Sequence, residues 1–534
     1  MILLYILSNI ARKYIMKRIF LFLLLQVAVF QLFSQGYKIE IKIKGLKNQQ
    51  VILGVHKGEN LVPVDTTTTD ANGYGYFQKK KKLISGMYII FLPSRTYFDI
   101  IVGDDQTFLI ENDTANLYKN LKISNSLEGE LFVDYQKFLM EQTEKMNKLS
   151  EQYKVEKDET KKKEIENQMN KLSENYEQKY NSIIGKYPEL FFSKFLKATR
   201  DVKVPTEITD RMQQYYYYKE HFFDNFDLSD ISMLYTPIYD NKIDTYLDKV
   251  APPMPDSINY AIDFMLNKAQ ANSDLYQYLL IKLYNKYAKS QMMIAENIFV
   301  HIAEIYIEKA TWSPDSFRNE LKTKIIRKKN CLIGNTAQNM KLFVLPNDTL
   351  KINELRIPLE EMKSKGLEIE KDKTRTFDQK LPDLSALIAE FLSHFPTDTE
   401  LKNVQAKYTI LWFISPTCSH CIEETPKFYE QFKKVLKDKG VVVFSVLLEA
   451  NTDNWNSFSD TYSKWFDFIL KHKMYERGWY NLSNPFDNFR FKYDISSSPV
   501  LYLLDKDKKI IAKRIGYEQA VEIILDIENP QNQQ

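Results

Sequence analysis

The pattern of apolar and polar positions falls into four stretches of different character along the chain. Tyr37 to Lys44 alternates polar and apolar with period two, the signature of a half-buried strand. Gln50 to Val55, Gly86 to Leu92 and Tyr97 to Val102 are further strand-like runs, and Asp70-Ala71-Asn72-Gly73 is a turn signal. Short strands at this spacing predict a small antiparallel β-sandwich ending near Ile123. Lys79 to Lys82 reads as a solvated strand edge rather than a basic patch.

From Leu131 to about Tyr187 Gly and Pro nearly vanish, and Phe138, Leu139, Met146, Leu149 and Tyr153 recur at helical spacing. The charged run Lys154 to Glu166 predicts the tip of a long helical hairpin or a loop between two helices. Sustained heptads are missing, which disfavours a coiled-coil dimer. Pro188 to about Arg327 is again helical but more aromatic, with Tyr215 to Tyr218 in succession. Ordinary packing between helices explains that cluster; a sugar-binding aromatic platform is the alternative.

From Cys331 onward strand and helix patterns alternate. Tyr408 to Ile414 is a continuous apolar run, as in a central parallel strand. Thr425 to Lys437 reads as a helix stopped by Gly440, Val441 to Leu448 as a second buried strand, and Pro499 to Leu504 as a third. A turn at Asp505-Lys506-Asp507-Lys508 leads to a strand over Lys509 to Arg514 and a closing helix over Tyr517 to Ile527. The order is β-α-β, a longer helical insert, then β-β-α. The chain is therefore expected to be multidomain: a β-rich domain over 36–130, an all-α domain over 131–330 and an α/β domain over 331–534.

At 534 residues the chain exceeds what one core usually organises. Lys and Arg total 73 against 70 acidic residues, a net charge of +3 that gives no electrostatic case for a nucleic-acid binder. No glycine-rich phosphate loop is present. Met16-Lys17-Arg18, the apolar stretch Ile19 to Phe33 and the small or polar Ser34-Gln35-Gly36 form a secretory signal peptide pattern over residues 1–35, with Met16 a candidate true start. The apolar run is short for a membrane span, so an uncleaved anchor is the less favoured alternative. Export to the periplasm or cell envelope is expected.

Three cysteines, Cys331, Cys418 and Cys421, are too few for a disulfide scaffold. Cys418-Ser419-His420-Cys421 follows a buried strand and opens a helix. There Cys418 meets unpaired N–H groups and the helix dipole, which favour a thiolate and lower a Cys pKa from ~8.5 toward roughly 3.5–7.5. Cys421, one turn on, is placed to attack a mixed disulfide. A structural zinc site would need a second ligand pair that the sequence lacks; an inert disulfide is the other alternative. Cys331 reads as a small buried apolar residue, with a resolving thiol as its alternative.

The segment Trp412-Phe413-Ile414-Ser415-Pro416-Thr417-Cys418-Ser419-His420-Cys421-Ile422-Glu423-Glu424-Thr425-Pro426 resembles the TlpA/ResA-like branch of the thioredoxin family, which carries CxxCxxExP after its strand. The resemblance spans about 331–525 and implies a thioredoxin fold, a redox-active Cys418–Cys421 pair and no cofactor. It also implies a cis peptide at Ser498-Pro499 beside the cysteines, with neighbouring backbone that binds substrate. Glu424 is implied to modulate cysteine ionisation and proton transfer, and Glu423 to be a surface residue. Trp412 stands where ordinary thioredoxins bury an aspartate, which shifts proton handling onto Glu424. Thr417 stands where they have tryptophan. Residues Tyr37 to about Ile123, and the helical part with Phe222 to Asp227 and Thr236-Pro237, resemble two uncharacterised domain families that precede thioredoxin domains in exported proteins of Bacteroidota.

The resulting expectation is an exported thiol-disulfide oxidoreductase acting on protein dithiols or disulfides, served by a membrane or periplasmic redox partner, without metal or nucleic acid. Ser419 and His420 tune the pair. A histidine there stabilises the thiolate and hence the reduced form, which makes a stronger oxidant; the resemblance points instead to a reductase, so the sequence leaves the direction open. The alternative is a cell-envelope binding or scaffold protein in which the redox domain is accessory.

Overall fold

The computed structural model describes residues 36–290, 292–448 and 450–529. The signal peptide expected over residues 1–35 lies outside them. The chain divides into two compact units, residues up to 253 with 260–279, and 254–259 with 280 onward.

The first unit opens with eight strands: β1 (Tyr37–Lys44), β2 (Gln50–Lys57), β3 (Asn60–Thr68), β4 (Tyr74–Lys79), β5 (Gly86–Phe91), β6 (Tyr97–Val102), β7 (Thr107–Asp113) and β8 (Lys122–Ser124). They form two four-stranded sheets, β4-β1-β7-β8 and β3-β2-β5-β6. Ile39 and Ile41 of one sheet and Val51 and Leu53 of the other belong to one buried core, as the period-two pattern requires. The sandwich is not wholly antiparallel, because β1 pairs with β7 in parallel. The long excursion through β2 to β6 permits that crossover, and local periodicity does not encode it. Lys79 ends the edge strand β4 and Lys80 to Lys82 are exposed, as expected of a solvated edge.

Helices follow: α1 (Leu127–Val155), α2 (Glu159–Lys186), α3 (Phe191–Ala198), α4 (Arg211–His221), α5 (Ile231–Leu234), α6 (Ile238–Thr245), α7 (Pro255–Ala269) and α8 (Ser273–Lys289). Ser126 caps α1 by accepting from the Gly129 amide, and Asp158 caps α2 by accepting from Thr160 and Lys161. The charged run at the hairpin tip thus breaks only at 156–158 and then continues as helix.

The second unit holds α9 (Ala295–Ile302), α10 (Asp315–Lys329), β9 (Lys341–Val344), α11 (Thr349–Glu361), α12 (Lys363–Lys371), α13 (Phe377–Leu392), β10 (Thr397–Glu400), β11 (Tyr408–Ile414), α14 (Ser419–Gln431), β12 (Val441–Leu447), α15 (Trp455–His472), β13 (Trp479–Ser483), α16 (Phe489–Lys492), β14 (Val500–Leu504), β15 (Ile510–Lys513) and α17 (Tyr517–Glu528). Its sheet has the order β10-β9-β13-β12-β11-β14-β15. Strands β11, β12 and β13 run parallel, and β14 and β15 turn antiparallel. The β-α-β and β-β-α segments read from the sequence are β11-α14-β12 and β14-β15-α17. Gly440 adopts φ 70°, a left-handed stop that glycine takes without a Cβ penalty.

All seven residues of β11 are buried. Ile410, Trp412 and Ile414 face a core shared with Phe428, Trp479 and Cys421; Leu411 and Phe413 face another with Cys331, Tyr493 and Tyr502. The sheet therefore separates Cys331 from the cysteine pair. Among the described residues no helix is long and apolar enough to cross a membrane.

Candidate active site

β11 delivers the chain to Ser415, and a tight turn through Pro416 and Thr417 places Cys418 as the N-cap of α14. The Cys418 amide donates to the Ser415 carbonyl at 3.3 Å, and the Ile422 amide to the Cys418 carbonyl at 3.0 Å. Cys418 is half-buried, Cys421 is 1% exposed, and all three cysteines are free thiols.

Pro499 precedes β14 directly. In the β11/β14 ladder Phe413 pairs with Val500, so Pro499 lies level with the end of β11. The Ser498–Pro499 peptide is cis, as the resemblance implies. The Cys418 thiol donates to the Ser498 carbonyl at 3.2 Å, which brings the cis loop against the half-buried cysteine.

The two thiols have opposite electrostatic surroundings. Burial alone would push Cys418 up. The Cys421 backbone N–H, the Cys421 thiol, Ser498 and the His420 backbone N–H outweigh it and hold Cys418 below the ordinary thiol range. Burial pushes Cys421 up to about 12, against the donating Ser415 amide at 3.5 Å. A thiolate is the attacking species in disulfide exchange, and these surroundings favour it at Cys418 and disfavour it at Cys421.

Ser419 and His420 are exposed, and His420 acts electrostatically on Glu423. Glu424 is partly exposed and takes an ion pair from Lys427 at 3.1 Å; the same ammonium reaches Glu423 at 2.8 Å. Trp412 donates its indole N–H to Thr425 Oγ1 at 3.0 Å. Cys331 is fully buried on the far side of the sheet, and burial raises its thiol. Its setting matches the small buried residue rather than the resolving thiol.

Lys427 and Thr425 lie beside the pair and were not singled out by sequence reasoning. Lys427 was findable at i,i+3 from Glu424 on a helix; the bond from Trp412 to Thr425 depends on how the helix packs on its strand. Among the described residues no group of three or more His, Cys, Asp or Glu side chains is placed to hold a metal ion.

A family profile described as a domain of unknown function, DUF5106, matches residues 156–325. No curated protein matches the chain. Solved structures similar to parts of the chain include a thioredoxin-like protein from Bacteroides caccae, at 16% identity, with 61% of this chain and 97% of that chain covered and a TM-score of 0.39. A domain of a possible thiol-disulfide isomerase from Cytophaga hutchinsonii matches at 29% identity, with 38% of this chain and 97% of that chain covered and a TM-score of 0.24. A secreted Mycobacterium tuberculosis disulfide oxidoreductase matches at 14% identity, over 24% of this chain and 88% of that chain, with a TM-score of 0.19.

Proposed function

We propose that the protein is an exported thiol-disulfide oxidoreductase of the TlpA/ResA-like kind. Its redox domain is thioredoxin-like and occupies 331–534, behind a signal peptide, a β-rich domain over 36–130 and a helical domain over 131–330. The observation that carries the reading is the asymmetric thiol pair: Cys418 at a helix N-cap against the Ser498 carbonyl, and Cys421 buried one turn below.

In the reducing direction the Cys418 thiolate attacks one sulfur of a protein disulfide. A Cys418–substrate disulfide forms and the other substrate sulfur leaves as thiolate. Cys421 then loses its proton and attacks Cys418 Sγ. This closes the Cys418–Cys421 disulfide and releases the second substrate sulfur. A membrane or periplasmic dithiol partner returns two electrons to the pair. The oxidising direction runs the same steps in reverse. Pro499 shapes the groove in which the substrate backbone lies, and Glu424 handles the Cys421 proton. Ser419 and His420 set the potential.

Changing Cys421 to Ser should trap mixed disulfides through Cys418 in cells, and Cys418→Ser should abolish them. If Cys421→Ser traps no partner and the wild type neither reduces nor forms disulfides in an insulin-type assay, the reading fails. A second reading, binding of a cell-envelope component by the upstream unit, is favoured by an open aromatic cavity on that unit.

A further inference from the structure

The four consecutive tyrosines of α4 do not share one role. Tyr215 donates to the Val250 carbonyl at 2.9 Å, Tyr217 packs on His221 with centroids 4.1 Å apart, and Tyr218 meets Phe222 edge-on at 5.7 Å. These three serve the helix packing expected from the sequence. Tyr216 is different: it is 56% exposed and lines a cavity of about 660 Å3.

Two helices, with the turns that follow the first of them, line that cavity. Tyr216, Lys219 and Glu220 follow i, i+3, i+4 spacing on α4; Tyr260, Phe264 and Lys268 follow i, i+4, i+8 on α7. Phe223 joins the lining, its centroid 4.9 Å from Tyr246 and 6.3 Å from Phe264. Tyr260 is 77% exposed. Aromatic rings used only for packing are buried; here flat faces stand open around a concave space of ligand size.

We propose that this cavity binds a neutral oligosaccharide. Sugar rings present C–H faces that stack on aromatic rings and a rim of hydroxyls that both donate and accept. The cavity offers both halves. The hydroxyls of Tyr216 and Tyr260, the Lys219 ammonium and the Glu220 carboxylate have no hydrogen-bond partner among the described residues. Lys219 and Lys268 oppose Glu220, Asp224 and Asp227, so the lining is nearly charge-balanced and selects neither an anion nor a cation. No residue of its lining lies in a β-strand, so an extended peptide finds no strand edge to pair with. This inference is independent of the redox reading.

The test is calorimetric titration of the full chain with maltotriose, cellotriose and chitotriose. At least one should bind one-to-one with a Kd of about 1 mM or tighter. Tyr216→Ala and Tyr260→Ala should each weaken it about tenfold, and Tyr260→Trp should restore stacking. Both tyrosines are exposed, and an unchanged circular dichroism spectrum verifies the fold of each variant. Failure of all three sugars to bind, or binding that survives the double alanine variant, overturns the proposal. So does saturation of the same tyrosines by an unfolded polypeptide, carboxymethylated α-lactalbumin, in the absence of sugar binding.

Discussion

The indole N–H of Trp412 donates to the hydroxyl of Thr425 across 3.0 Å, with both side chains buried. Trp412 sits on the central strand, Thr425 on the helix that the cysteines open, and Cys421 shares their core. Where the resemblance places a buried aspartate in ordinary thioredoxins, this chain has a large ring whose polar edge is satisfied by a neutral hydroxyl. No buried carboxylate is left beneath the cysteines at that position. Thr425→Val keeps the volume but leaves the indole N–H without its acceptor, and an orphaned buried donor costs about 1–3 kcal/mol. Urea denaturation should show that loss. A stability within about 0.5 kcal/mol of wild type would place the indole N–H in contact with another acceptor.

The cysteine surroundings predict an order of reactivity. Thiolates react and thiols do not, so iodoacetamide at neutral pH should label Cys418 of the reduced protein, while Cys421 and Cys331 stay unlabelled until the chain unfolds. The same surroundings predict a pH dependence of stability. Cys421 is raised in the fold to about 12. Its contribution is intact below the unfolded value of ~8.5 and is lost as pH climbs from there toward about 12. Cys418 is lowered, so its contribution is present above the unfolded value and is lost as pH falls through the folded one. Mass mapping of alkylated peptides checks the first prediction. Denaturation of reduced Cys421→Ala against wild type across alkaline pH checks the second, with the alkaline loss reduced in the variant.

How much of this was legible in the sequence depends on whether the signal is local. Tyr408 to Ile414 is apolar without a break and buried without a break. The N-cap placement of Cys418 and the stop at Gly440 follow from adjacent residues. The segment 341–400 was not legible as β9, three helices and β10. Its strands are four residues each, and β10 reads Thr-Asp-Thr-Glu, polar throughout because it lies at the sheet edge. β13 was absorbed into a helical insert because five residues beginning at Trp479 carry too little periodicity to separate strand from helix. The parallel β1/β7 pairing and the contact between Cys418 and the Ser498 carbonyl join segments far apart in the chain, and no window of local sequence contains them. The Trp412–Thr425 bond lies within one short segment but depends on how the helix packs on its strand, which periodicity does not encode.

An ion cluster in the second unit gives the last prediction. Glu296 accepts from Lys328 and Arg514, each at 2.6 Å, and from Lys513, whose ammonium also donates to the Cys331 carbonyl at 2.7 Å. Asp494 takes Arg514 at 2.8 Å and Lys328 at 3.2 Å. The cluster ties α9 and α10 to the end of β15. Burial alone would raise the Glu296 carboxyl, but Lys513, Lys328 and Arg514 outweigh it and hold the group down to about 2. A lowered acid contributes stability above its unfolded value, ~4.3, and loses it as pH falls toward about 2. Lys513 is 4% exposed, so Glu296→Gln would leave a buried ammonium without its counter-charge, a loss of about 3–5 kcal/mol. The variant should therefore unfold at lower urea at neutral pH and should show a weaker loss of stability between about pH 4 and 2 than wild type. Equal urea midpoints at neutral pH would mean that water or another carboxylate pairs Lys513 in solution. Replacing Glu296 and Lys513 together by Gln and Met separates the two effects, because the double variant removes the stranded charge and should recover part of the loss.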